Sequence, residues 1–391
     1  MRKIVTLILC AAMLLCAFSA LAENEKQIVK VAVMSSESGA NSRFMDIYKA
    51  SIGAALRIME EDGTLPTYYD FEFEYIDDQS TTEGAPLAAN YALDSYGCHV
   101  SIGHLLTTMI LVSGQYFEDA EIPLLGIVSG PASVSQGWEY LCIETGTDLT
   151  NADTLCEYLV EVQGYEKIAM VNVNTEGGQS AGDRVEETLK NKYGLELVVH
   201  DECESIEADM SAIVLKIKDA GAQAVICWGV DVSTANLLNS QIEQLYAKTP
   251  EEVLFCGGTN MAQNNNALTF TAEDLEGCVF TSGYIFDENN EMHKRFKDYV
   301  IELDPEHQEP SDVGARVFDA MYHIRTALEE MGQMDVNDSD FSKVLNQYLR
   351  TAKFTGVQGE FDFSQNDNGV GLNTMNVGVW TANYGQEKIY P

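Results

Sequence analysis

The chain has 391 residues, 46% of them hydrophobic and 21% charged, with a formal net charge of −38 from 61 acidic and 23 basic residues. That acidity excludes the basic surface needed to grip nucleic-acid phosphates or anionic lipid headgroups, and it serves solubility. The length favours two lobes over one hydrophobic core.

Met1-Arg2-Lys3 precedes an apolar run from Ile4 to Leu15, and Ala20-Leu21-Ala22 stands before Glu23. A basic start, an apolar middle and a small-x-small site predict a signal peptide over residues 1–22 and export to the periplasm or the cell exterior. A lipoprotein anchor at Cys16 is the weaker reading, because bulky Leu15 stands where such sites take a small residue. No later run is long and apolar enough to span a bilayer. Beyond the leader, Cys98, Cys142, Cys156, Cys203, Cys227, Cys256 and Cys278 are odd in number and form no CxxC spacing. Apolar neighbours such as Val225-Ile226-Cys227-Trp228 predict buried thiols and few or no disulfides.

Ile28–Met34 reads as a buried strand, and Phe44 to Met59 places apolar residues at helical spacing. Phe71–Tyr75 alternates as a strand ending at Asp77-Asp78. Ala85–Leu93 reads as a helix, Val100–Ile102 as a strand, Thr108–Ala120 as a helix and Pro123–Val128 as a strand. The pattern pauses around Cys142–Thr147 and restarts. Helices are predicted over Thr150–Val162, Gly182–Tyr193, Ser211–Ala220 and Thr234–Leu245. Strands are predicted over Lys167–Val173, Leu195–Val199, Ala224–Trp228 and Val253–Cys256. Asp312–Met331 is a long amphipathic helix. Strand–helix units of this kind imply right-handed crossovers and parallel sheets; two series in succession imply two similar lobes.

At Val100–Thr108 a strand ends at Gly103, and two threonines open the next helix. Hydroxyls and unpaired N–H groups at a helix N-terminus suit a carboxylate. Ligands on open α/β sheets bind beyond the carboxyl ends of the strands.

Five segments carry a resemblance. They are Val31–Met34 with Ser36-Glu37-Ser38-Gly39, the Asp77-Asp78 pair, Ile102–Leu105 with Thr107-Thr108, Ile122–Leu125 leading to Ser129-Gly130-Pro131-Ala132, and Phe354–Asp362. In this order they resemble the type I periplasmic solute-binding proteins of ABC transporters, of the leucine/isoleucine/valine-binding kind. The resemblance implies an α/β fold of two doubly wound parallel-sheet lobes, a Venus flytrap joined by three hinge crossings near Cys142–Thr145, Val279–Ile285 and Thr351–Thr355. The first lobe would comprise 23–144 plus 285–352, the second 145–284 plus 353–391. It also implies a small-molecule ligand, an amino acid or related carboxylate, and ABC permease membrane subunits as partners of a monomer. A sensor that signals to another protein is the alternative.

The resemblance brings Ser38, Thr107, Thr108, Ser129 and Gly130 to the ligand. Thr107 could also cap its helix, a role compatible with ligand binding, and Ser129-Gly130 could be a turn before Pro131. Where relatives carry an acid to pair with an ammonium, this chain has Thr259. Asp231 could supply that charge from the neighbouring loop, or it could cap the following helix. The loop Glu176–Ser180 has no aromatic residue where relatives often carry one.

No HExxH, GxSxG, P-loop or GxGxxG pattern occurs, and none of the six histidines has ligand spacing with another His or Cys. His104 reads as a loop or core histidine. Asp77 and Asp78 are adjacent, so they point opposite ways. The residues thus predict neither an enzyme nor a metal or cofactor.

Overall fold

The computed structural model describes residues 26–39, 42–204, 209–229, 232–246, 253–262, 271–305 and 310–390. The predicted leader and Asp231 lie outside these residues. Among the described residues, no helix is long and apolar enough to cross a membrane.

Strands β1 (Gln27–Ser35), β2 (Tyr69–Asp77), β3 (Val100–Ile102), β4 (Leu124–Gly126) and β5 (Leu141–Ile143) form a parallel sheet in the order β2-β1-β3-β4-β5. Helices α1 (Phe44–Glu61), α2 (Gly84–Asn90), α3 (Thr107–Ala120) and the single turn α4 (Pro131–Val134) connect them. The sheet is buried on both sides. Val31 and Val33 join one core with Ile58 of α1, while Ala32 and Met34 join another with Ile110 and Phe117 of α3. That is why β1 reads as a nearly unbroken apolar run: successive residues face opposite layers, and both layers are covered.

The second lobe contains α5 (Asp148–Glu157), β6 (Ile168–Val173), α6 (Glu176–Thr188), β7 (Val199–Cys203) and α7 (Ser211–Ala220). It continues through β8 (Ala224–Trp228), α8 (Val232–Tyr246), β9 (Leu254–Gly257), α9 (Thr259–Ala262), α10 (Ala272–Leu275) and β10 (Val279–Ser282). The parallel order β7-β6-β8-β9-β10 repeats that of the first lobe. Each sheet therefore reverses its winding once, between β1 and β3 and between β6 and β8. The crevices at such reversals are where ligands lodge.

The chain then returns to the first lobe as α11 (Glu291–Leu303), α12 (Asp312–Met331) and α13 (Phe341–Leu349), with α12 packed on α1 and α13. A hairpin, β11 (Lys353–Thr355) and β12 (Glu360–Asp362), follows. Finally β13 (Asn376–Thr381) and β14 (Gly385–Tyr390) extend the second sheet with antiparallel strands beside β10. Phe361, Phe363 and Leu372, in the segment assigned from sequence to the second lobe, pack into the first core. The second sheet resumes only at β13.

Two elements differ from the sequence reading for local reasons. Helix α6 starts at Glu176, six residues early, because the Thr175 hydroxyl accepts the Gly178 N–H at 3.3 Å as its N-cap. Gly178 is obligatory there, since a Cβ would lie 2.1 Å from the Val173 carbonyl oxygen. Strand β7 lies at Val199–Cys203, later than predicted, in register with Ala169–Val173, while Leu195 and Leu197 pack against a core of that lobe. All seven described cysteines are buried and unbridged.

Candidate functional site

The carboxyl ends of β1, β3 and β4 meet at one edge of the first lobe. The N-cap of α3 is Leu106, in extended conformation and without a capping side chain; Thr107 is the first helical residue. Thr107 is therefore not the cap. The N–H groups of Met109 and Ile110 turn back to the Leu106 carbonyl. Those of Thr107 and Thr108 are left for a partner outside the helix, where the macrodipole favours an anion. Thr107 is half-buried and Thr108 exposed.

Gly130 approaches Thr107 so closely that a Cβ at 130 would lie 2.3 Å from the Thr107 hydroxyl. Gly130 is extended and precedes Pro131, which opens α4. The adjoining Ser129 carbonyl accepts the Asp148 N–H at 2.9 Å, joining this loop to the start of α5 in the second lobe. Asp148 is a half-buried carboxyl at the first position of α5, whose cap is the Thr147 hydroxyl. Burial pushes Asp148 up to about 6, against the opposing pull of a bond from Ser129 and the charge of Arg316. Arg316 is itself buried. Its guanidinium donates to the Ile127 carbonyl at 3.2 Å and to Asp312, leaving Nε without a partner.

Ser38 has a structural task. Its hydroxyl donates to Asp77 Oδ2 at 2.6 Å, and its N–H and that of Glu37 donate to Asp77 Oδ1. Asp77 thus shapes the loop after β1. Asp78 points the other way and is wholly buried, accepting from Ser36 at 2.6 Å and facing His104 Nδ1 at 2.8 Å. Burial works to raise Asp78, but the bonds from His104, Ser36 and the Ser80 N–H outweigh it and hold the carboxyl below its ordinary value. His104 is fully buried, with Nε2 unpartnered.

Across the cleft, Thr259 begins α9 beyond β9 and is half-buried. Beside it a Cβ on Gly258 would lie 2.8 Å from the Trp228 ring, so this backbone lies directly on the indole. Thr107, Ser129 and Gly130 are thus brought together; Thr108 sits at the rim; Thr259 belongs to the opposite lobe. The residue that sequence reasoning missed is Asp148. Thr147-Asp148 has the pattern of an ordinary capped helix start, and its one distinguishing signal is its place immediately after the predicted first crossing. Among the described residues, no group of three or more His, Cys, Asp or Glu is placed to hold a metal.

A family model described as periplasmic binding protein matches residues 28–385. The Leu/Ile/Val/Thr-binding protein of Salmonella typhimurium is 24% identical over 358 residues, covering 91% of this chain and 92% of that protein. The Leu/Ile/Val-binding protein of Escherichia coli K12 is 24% identical, covering 91% of each chain. Among solved structures, a branched-chain amino acid transporter substrate-binding protein of Streptococcus pneumoniae, in complex with isoleucine, superposes with a TM-score of 0.71 at 17% identity. That match covers 93% of this chain and all of the other. An ABC transporter solute-binding protein of R. palustris, in complex with 4-hydroxybenzoate, superposes with a TM-score of 0.73 at 15% identity, covering 93% and 96%. The repeated strand order, the two lobes and the family match lead to one conclusion: the chain belongs to the type I periplasmic binding proteins of the leucine/isoleucine/valine-binding family.

Proposed function

We propose that this protein is exported, captures a small carboxylate-bearing solute between its lobes, an amino acid foremost, and delivers it to the membrane subunits of an ABC importer without chemical change. The observation that carries the reading is the uncapped start of α3, with Thr107 against Gly130 and Asp148 bonded through its N–H to the Ser129 carbonyl. The hydroxyl and N–H groups serve the ligand carboxylate; they stabilise it without a cation. Asp148 serves its ammonium, the role for which Thr259 has no charge. Thr259 and the Trp228–Gly258 surface complete the cleft from the second lobe. The named relatives bind leucine, isoleucine and valine, which carry both groups, whereas 4-hydroxybenzoate in the R. palustris protein carries only the anion.

Calorimetric titration with leucine, isoleucine, valine, threonine and 4-hydroxybenzoate tests this. The reading predicts saturable binding of at least one amino acid. Thr107→Val should weaken it by about ten- to a hundredfold, the loss of a hydrogen bond to a charged group, ~1.5–3 kcal/mol. Binding confined to 4-hydroxybenzoate would remove Asp148 from the site, and unchanged affinity in Thr107→Val would remove Thr107.

A further inference from the structure

Helix α12 carries four polar side chains at spacings that place them on one stripe: Asp312, Arg316, Asp319 and His323. Each reaches a different segment near the lobe junction. Asp312 Oδ1 accepts from the Ser282 hydroxyl at 3.2 Å and the Tyr284 N–H at 3.3 Å, in the second crossing. Arg316 holds the end of β4 through the Ile127 carbonyl. Asp319 accepts from the Val357 N–H at 2.7 Å, the Gln358 N–H at 3.1 Å and Gln358 Nε2 at 3.0 Å, on the way to the third crossing. His323 Nδ1 lies 2.8 Å from Glu144 Oε1 in the first crossing. Gln358 Nε2 also donates to the Glu144 carbonyl at 2.9 Å, tying the β11–β12 loop to the first crossing. A Cβ on Gly283 of the second crossing would touch Gln358, Thr145 and Asp312, so all three strands of chain converge here.

Asp319, His323 and Glu144 are wholly buried. His323 Nε2 donates to the Leu349 carbonyl at 2.8 Å. Ionised, Asp319 accepts all three N–H bonds. Protonated, one of its oxygens becomes a donor facing N–H groups, and at least one bond to the β11–β12 loop is lost.

We propose that this stripe is the bearing on which the lobes turn, and that proton uptake at Asp319 loosens the β11–β12 loop, whose Gln358 carbonyl accepts from Asn376 Nδ2 at the start of β13 at 3.2 Å, and so changes the resting lobe angle. Burial pushes Asp319 up to about 7, with the Glu144 charge adding to the rise and the Gln358 and Val357 bonds opposing it. The other charged or titratable groups facing the cluster are Tyr322 on the same helix, Cys142 and Arg350 beside Glu144, and buried His293 of α11, which bonds to the Val357 backbone and which burial holds below its ordinary value. The rings of Phe354 and Phe363 stack on His323, at 5.5 and 4.0 Å between centroids, and shield it from water.

The inference deepens the capture reading and rests on it for its purpose, but its test needs no solute. Dyes at Glu60→Cys in α1 and Lys190→Cys in the second lobe report the interlobe distance by energy transfer in the protein without its predicted leader; the seven described thiols are buried. Between about pH 5 and pH 9 the transfer efficiency should change with a midpoint near 7. Gln358→Met, which removes the amide N–H that favours ionised Asp319, should move that midpoint to higher pH by about half a unit or more. Asp319→Asn should abolish the transition. Constant efficiency across the range, or a midpoint untouched by Gln358→Met, overturns the proposal even if Asp319→Asn does not fold. Failure of the capture reading appears elsewhere, as absence of solute binding with this transition intact.

Discussion

At the scale of the residue, the proposed site is made of hydroxyls, N–H groups and one carboxyl, with the charge of buried Arg316 acting on that carboxyl. Asp148 gives this a pH signature. Its carboxyl, pushed up to about 6, is charged above that value and neutral below it. Amino-acid affinity should therefore rise between about pH 5 and about pH 7.5 and be flat in Asp148→Asn, as calorimetry at several pH values would read. The stability term has the opposite sign. A carboxyl raised in the folded state favours folding most when protonated, and this contribution is lost as pH rises through about 6. The place of Thr107 at an open helix start was legible in the sequence, from a strand, a glycine and a hydroxyl pair in succession. The place of Asp148 beside it was not, because it depends on a loop some twenty residues earlier folding back on it.

At the scale of the element, the glycines decide which side chains reach the site. Gly130 has φ −65° and ψ 125°, a conformation open to any residue, so only the space around its Cα demands glycine. Gly130→Ala should displace the Thr107 hydroxyl and lower affinity at least about tenfold, ~1.4 kcal/mol, with little change in Tm. Gly177→Ala, on α6 with open space around it, is the control and should leave affinity unchanged while stabilising by ~0.5–1 kcal/mol. Unchanged binding in Gly130→Ala would place the ligand elsewhere. The parallel strands were legible because burial on both faces makes them continuous apolar runs. Strands β13 and β14 were not: the exposed run Glu387–Ile389 of β14 mixes two charges with an isoleucine and shows no clear alternation, and the strands pair only because β10 offers an edge.

At the scale of the whole molecule, two copies of one strand order face each other across three crossings, with α12 reaching toward all of them. The duplication was visible as a pattern that pauses and restarts. The junction was not, because Glu144 meets His323 across 179 residues and Gln358 meets Glu144 across 214. A ligand held by both lobes favours the state in which they approach, to the extent that its contacts differ between open and closed forms. Small-angle X-ray scattering with and without a saturating amino acid that binds in calorimetry measures this directly. The account predicts a smaller radius of gyration in the bound protein, and a radius unchanged by saturating ligand would contradict it.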